Sequence, residues 1–341
     1  MPEALNQPLV SLIVPVYNAA PYLSDLFESL LGQTHSNLQI ICVNDGSTDD
    51  SLAILQSYAE QDGRVLVVDK PNSGAADTRN CGLEYVKGEY LCFIDSDDFI
   101  ERDAIEKLVA IAERDHTDVV LFDMDVYDNV TGEYHELTPV FTERVPVNRV
   151  FSIADVDNFY KYILGFTVNK LYRSSFLLGL NLRFPRIGAH EDMPFTYIAL
   201  SAAKSIYFFD EDLYHYRRSR EGSLSDTTNR RYRFMIEALL CFREGLKERG
   251  LWDACERDFE NYALHMCVWK YGSLERLDHL EFRDACRSRL FDLLGISAHE
   301  ADYYYEPEDY KFYTDAMTLP LLRRIIAFLW RFVRRRDAVD L

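Results

Sequence analysis

Nowhere in the chain does an uninterrupted apolar run approach the roughly 20 residues that crossing a bilayer requires, so no membrane-spanning helix is expected. The opening stretch, Met1 to Gln7, has neither a basic nor an apolar segment, which argues against a secretory signal. Cysteine is sparse and unpatterned. The seven residues are an odd number without CxxC spacing, which suits a reducing compartment better than a disulfide framework. Cys42 and Cys92 lie inside apolar runs, where a thiol acts as a small hydrophobe. Positive charge is also short: 37 Lys and Arg stand against 56 Asp and Glu, and a net charge of -19 repels nucleic acid. Internal repeats and low-complexity tracts are absent. What is left is ordinary globular composition, 48% hydrophobic and 27% charged, in 341 residues that allow one large domain or two smaller ones.

The first 125 residues alternate strand and helix. Val10 to Val16 is a β-branched strand ending at Tyr17-Asn18, and a helix follows with Pro21 near its start and Leu23, Leu26, Phe27 and Leu30 on one side. Leu38 to Val43 predicts a strand broken by Asn44-Asp45-Gly46, followed by a helix over Leu52 to Ala59. Strand Val65 to Val68, helix Gly74 to Val86, strand Tyr90 to Ile94, helix Ala104 to Glu113 and strand Val119 to Phe122 continue the series. Continuous apolar strands separated by helices imply an α/β fold with a mainly parallel sheet covered on both faces. Ligands in such sheets sit at the carboxyl ends of strands, which is where the polar clusters fall. Beyond Tyr127 the pattern loosens, with one more strand candidate at Ile206 to Phe209 and mainly helix from Asp226 to Leu294.

Asp95-Ser96-Asp97-Asp98 directly follows a buried strand. Hard cations such as Mg²⁺ or Mn²⁺ take oxygen ligands, and three adjacent carboxylates in a partly desolvated site repel one another unless a cation is present. A helix cap is the plainer explanation, but it accounts for one Asp and not three. Asn44-Asp45-Gly46-Ser47 suits either a base- or ribose-binding carboxylate or a simple Asx turn. Asn72-Ser73-Gly74 opens a helix whose free N–H groups suit phosphate. Arg79 in that helix serves either a diphosphate or a structural ion pair.

The segments Val10 to Asn18, Val43 to Asp49, Asn72-Ser73-Gly74 through Arg79-Asn80, and Phe93 to Asp98 together resemble the family 2 glycosyltransferases. Four motifs occur in the family's order, closely over residues 9 to 125 and more loosely over 165 to 225; Thr78 stands where the family usually has Ala. The resemblance implies a GT-A fold and inverting transfer from a nucleotide-sugar donor, a UDP-sugar by family habit. It implies that Asp45 binds the base, that Asp95 and Asp97 form the DxD element, with Asp97 the more direct metal ligand and Asp95 nearer the ribose or donor sugar, and that Pro15, Tyr17 and Asn18 line the nucleotide pocket. Asn72 and Gly74 belong to the same donor site. His190-Glu191-Asp192 resembles the family's Glu-Asp motif, with Asp192 as base and Glu191 supporting it; the same residues also suit a helix start. Asn169-Lys170-Leu171-Tyr172 is similar to a family segment in which Lys170 contacts the donor or positions the base, beside a packing role of equal weight. Tyr214 to Arg218, through Gly222-Ser223, resembles a loop closing over the donor, in which Arg217 or Arg218 engages diphosphate oxygens. His215 is left out of the metal set.

In helical projection, Leu322, Ile325, Ile326, Leu329 and Val333 share an arc flanked by Trp330 and Phe332, and five arginines (323, 324, 331, 334 and 335) gather opposite. Residues 319-336 therefore suit an amphipathic helix on an anionic membrane surface, beside the alternative of docking on the protein's own acidic surface. The expected arrangement is a nucleotide-sugar-binding half (1-125), an acceptor-binding half (126-225), a helical region (226-315) and a basic tail (316-341). The expected location is cytoplasmic, peripheral on the inner face of the cytoplasmic membrane. The expected acceptor is a lipid-linked or cell-surface glycan. A catalytically silent glycan- or partner-binding scaffold is the alternative. A sugar nucleotidyltransferase is disfavoured because Pro15 to Ala20 has no Gly-rich, basic triphosphate loop.

Overall fold

A computed structural model describes residues 7–218, 232–274 and 279–318. The chain forms two compact units. The first comprises Met1–Val156, Tyr162–Arg186 and Glu191–Gly222, and is built on one sheet. Its strands are β1 (Val10–Val16), β2 (Leu38–Asp45), β3 (Val65–Lys70), β4 (Tyr90–Phe93), β5 (Phe99–Ile100), β6 (Val119–Asp128), β7 (Tyr134–Glu136), β8 (Val150–Phe151), β9 (Lys170–Arg173) and β10 (Ile206–Arg218). The order is β3-β2-β1-β4-β9-β6-β10-β5, with β7 on β6 and β8 on β10.

β3, β2, β1 and β4 run parallel, and the order reverses around β1, which pairs with β2 on one side and β4 on the other. In open sheets of this kind, ligands sit outside the carboxyl ends of the strands at such a reversal. Helices α1 (Leu23–Leu31), α2 (Ser51–Gln61), α3 (Ala75–Leu83) and α4 (Ala104–Asp115) make the crossovers. α1 buries Leu23, Leu26, Phe27 and Leu30, the stripe that its spacing predicts. With Val10, Leu12, Val14, Ile40 and Cys42 they form the core, each of them essentially inaccessible. All seven cysteines are free.

β9 lies antiparallel between β4 and β6, which makes the sheet mixed. β10 runs parallel to β6 but is longer than the predicted Ile206 to Phe209. Asp210, Glu211 and Asp212 are exposed where register shifts interrupt the ladder, and pairing then resumes to Arg218. An exposed acidic bulge looks like the end of a strand in sequence, yet a bulge only re-aims it. The segment Tyr214–Arg218 is accordingly strand and not the expected loop; Gly222 and Ser223 lie outside the described residues.

The second unit joins Asp157–Lys161 and Ile187–His190 to the chain from Ser223 onward. Its described part is helical, over Tyr232–Glu248, Trp252–Ser273, His279–Ala285, a wider π-type turn at Cys286–Leu290, Phe291–Leu294 and Pro307–Met317. Leu239, Phe242, Phe259, Ala263 and Leu294 fill its interior. No helix among the described residues is long and apolar enough to cross a membrane. Residues 319–341, including the basic tail, lie outside the described residues.

Candidate active site

The acidic motifs converge at the carboxyl ends of the parallel strands. Asp45 is the last residue of β2, where the strand gives way to Gly46 in the left-handed region (φ 65°). A Cβ on Gly46 would stand 2.8 Å from the Asn72 amide nitrogen, so the turn needs glycine for conformation and for space. The Asp45 carboxylate accepts the N–H groups of Ser73 (2.8 Å) and Gly74 (2.9 Å) and a bond from the Lys70 ammonium. Its carbonyl accepts Asn72 Nδ2 at 3.0 Å. Burial alone would raise this carboxyl, but those donors outweigh burial and hold it below its ordinary range. The amides at the start of α3, expected to face phosphate, are thus engaged by Asp45 in this arrangement.

Asp95-Ser96-Asp97-Asp98 follows β4, as predicted, and its three carboxylates have separate surroundings. Asp98 is almost fully buried; it accepts the Tyr214 hydroxyl at 2.6 Å and the Arg217 backbone N–H at 2.8 Å. Burial, then the neighbouring charges of Asp97 and Asp95, pushes its carboxyl well above the ordinary range. The Tyr214 hydroxyl also accepts the Asp95 N–H at 3.2 Å, and Arg217 Nε donates to the Asp97 carbonyl at 2.7 Å. The end of β10 therefore clamps the acidic turn. Sequence inspection missed this role of Asp98 and Tyr214, since residues 116 apart in sequence carry no local signal of their pairing.

Arg217, expected over a diphosphate, is 4% exposed. Its other two nitrogens donate to Asn129 (2.7 Å) and Asp25 (2.8 Å), and the rings of Tyr22, Phe99 and Tyr127 surround it. Arg218, beside it, is exposed and lies over the Tyr216 ring. The two ring nitrogens of His215 face Asp125 (2.8 Å) and Glu101 (3.2 Å).

A second arginine gathers acids from three parts of the chain. Arg79, on α3, lies 2.9 Å from Asp95, 3.1 Å from Glu191 and 3.1 Å from Asp192. Its guanidinium sits over the Phe184 ring at 5.6 Å, and Asn80 pins the Phe184 backbone through both its N–H and its carbonyl. Glu191 precedes, and Asp192 begins, the helix Asp192–Ala202. Burial pushes the Asp192 carboxyl up to about 7; Arg79 opposes that rise, and Glu191 and Asp95 add to it. Lys170, at the start of β9, is fully buried and donates to Asn169 Oδ1 (2.6 Å) and to the Phe166 carbonyl. Burial brings its ammonium down to about 7, against the pull of Asp192.

Around the first strand, Pro15 is half-buried, Tyr17 is 52% exposed, and Asn18 is exposed with φ of 49°. Asn18 Oδ1 accepts the Thr48 N–H at 2.8 Å, tying the end of β1 to the turn after β2. Asp95 and Asp97 offer the hard oxygen donors that Mg²⁺ or Mn²⁺ takes. Among the described residues no group of three His, Cys, Asp or Glu side chains forms a complete cation site. A carboxylate pair still fits these ions, since Mg²⁺ typically binds through one or two carboxylates and fills its shell from phosphate and water.

A doubly wound sheet with acids at the carboxyl ends of its strands is an arrangement suited to a nucleotide ligand. Residues 11–176 match Glycosyl transferase family 2. EpsH of Bacillus subtilis (strain 168), provisionally named a glycosyltransferase, is 32% identical over 288 residues, which span 80% of this chain and 81% of EpsH. The chain belongs to glycosyltransferase family 2 and is a glycosyltransferase. S. aureus TarS (residues 1-349), solved with UDP, superposes with a TM-score of 0.65 at 19% identity, covering 97% of this chain and 94% of that one. The mannosyltransferase PcManGT of Pyrobaculum calidifontis, solved with GDP-Man and Mn²⁺, superposes at 0.53 with 15% identity, over 96% and 88%. These likenesses establish the fold as GT-A.

Proposed function

We propose that this glycosyltransferase moves a sugar from a nucleotide-sugar, in the first instance a UDP-sugar, to a hydroxyl of a lipid-linked or cell-surface glycan precursor, with inversion and with a divalent cation. The observation that carries this reading is the convergence of Asp95, Glu191 and Asp192 on one buried guanidinium. It gathers a donor-side acid and a candidate base from distant parts of the chain. TarS complexes with UDP and UDP-GlcNAc support the choice of nucleotide, and the Mn²⁺ in PcManGT supports the cation.

In this reading Asp192 accepts the proton of the acceptor hydroxyl as its oxygen attacks the anomeric carbon, and the bond to the diphosphate breaks on the opposite face. A carboxyl titrating near 7 is matched to that task at neutral pH. Glu191 supports Asp192, and the Lys170 ammonium favours its ionised form. Pro15, Tyr17, Asn18, Asp45, Asn72 and Gly74 form the nucleotide side. Because Arg217 is spent on the acidic turn, Arg218 is the better placed of the two for diphosphate oxygens. Asp95 and Asp97 would hold Mg²⁺ or Mn²⁺, which supplies charge neutralisation for the departing diphosphate. Residues 319-336 would seat the enzyme on an anionic cytoplasmic membrane surface, where lipid-linked acceptors are found.

The test is metal-dependent hydrolysis or transfer across a panel of nucleotide sugars, with Asp97→Ala as control. Loss of turnover in that variant is expected, and retained turnover would overturn the reading. Sedimentation with vesicles rich in anionic lipid, with and without residues 319–341, checks the membrane part.

A further inference from the structure

We infer that Arg79 is a positioning residue that touches neither sugar nor nucleotide: its buried guanidinium holds the donor-side carboxylate Asp95 and the acceptor-side pair Glu191 and Asp192 in one array. This rests on the reading of Asp192 as base and adds to it the residue that places the base.

The geometry carries the assignment. One terminal nitrogen of Arg79 faces both Glu191 and Asp192, at 3.1 Å each, and the other donates to Asp95 at 2.9 Å. A planar fork can span three carboxylates in this way, whereas an ammonium is a single point charge. The fork itself is held on other sides. It lies over the Phe184 ring at 5.6 Å, that ring stacks on Phe195 at 3.8 Å, and Asn80, next to Arg79 in α3, bonds the Phe184 backbone twice. A free surface arginine has no such support. Three acids around one guanidinium leave an excess of negative charge, which Lys170 faces from β9. The groups acting on Asp192 are therefore Arg79, Glu191, Asp95 and Lys170. Arg79 Nε is buried without a hydrogen-bond partner among the described residues, so contact with a donor is the competing role to be tested.

Two variants separate the roles. Arg79→Lys keeps the charge and loses the fork; it is expected to lower kcat about 100-fold, the scale of an ångström-level misplacement, while calorimetry finds the affinity for UDP unchanged. Arg79→Gln removes the charge as well, and is expected to move the acid limb of the kcat profile to higher pH, because Arg79 favours the Asp192 carboxylate. The same shift is read without turnover from the infrared carboxyl band that Asp192→Asn abolishes. Should both variants fail to fold, Phe184→Leu loosens the guanidinium from beneath and is expected to lower kcat less, again without loss of UDP affinity. UDP affinity falling in step with kcat would overturn the assignment, as would an Asp192 band that stays in place in Arg79→Gln. A wild-type enzyme that neither binds UDP nor transfers sugar would instead sink the function proposed above, and the infrared band would still decide the role of Arg79.

Discussion

Two buried arginines stand near the acidic turn, and they are built differently. Arg217, 4% exposed, spends its nitrogens on a backbone carbonyl, an amide and one carboxylate, inside a ring of aromatics. Arg79, 5% exposed, faces three carboxylates and one aromatic ring. The first arrangement is close to balanced in charge and hydrogen bonds, as a structural post should be. The second holds surplus negative charge, which adds to the burial that lifts Asp192 to about 7. Burial of an arginine therefore says little about its role until its partners are counted.

The sharpest way to break this comparison is to cut each array at its key residue. Asp192→Asn is expected to lower kcat by about 10²–10⁴-fold with UDP affinity retained, measured by single-turnover transfer. Wild-type kcat should rise with pH through about 7 as Asp192 loses its proton. Arg217→Ala should act on stability instead, costing about 1–3 kcal/mol in urea unfolding for the partners left unsatisfied, with the kcat limb still near its wild-type pH. A limb that moved in Arg217→Ala and stayed in Arg79→Gln would reverse the assignment. The smallest effect is one of linkage. Because folding raises the Asp192 pKa, the folded state binds more protons between about pH 4 and 7, so wild-type stability falls across that window. Asp192→Asn removes that loss, and its stability should exceed the wild type increasingly up to about pH 7 and then level off, as read from urea midpoints.

Much of the first half of the sheet was legible in the sequence. Val10–Val16 is the predicted strand residue for residue, and the ends of β2 and β4 carry the acids expected there. Parallel strands buried on both faces write themselves as apolar runs. The second half was less legible because its order comes from tertiary contacts. β9 is four residues long, and the burial of Lys170 within it runs against the usual place of a lysine. β5, β7 and β8 have two or three residues each, too few for any period to show. The acids of the site were identifiable as chemistry, but their grouping was not. That Arg79 joins Asp95 to Glu191 depends on a separation of 112 residues between Arg79 and Glu191.

The bulge in β10 gives the sheet an odd gear. Ile206 pairs with Val119 and Arg218 with Asp128, so twelve steps along one strand mesh with nine along its neighbour. Since side chains alternate in twos, an odd surplus turns the far end of the strand over relative to simple counting. Tyr214 and the backbone of Arg217 reach Asp98 because of that half-turn. A single-residue deletion among 210–212, all exposed, would therefore release the acidic turn without altering one residue that touches it.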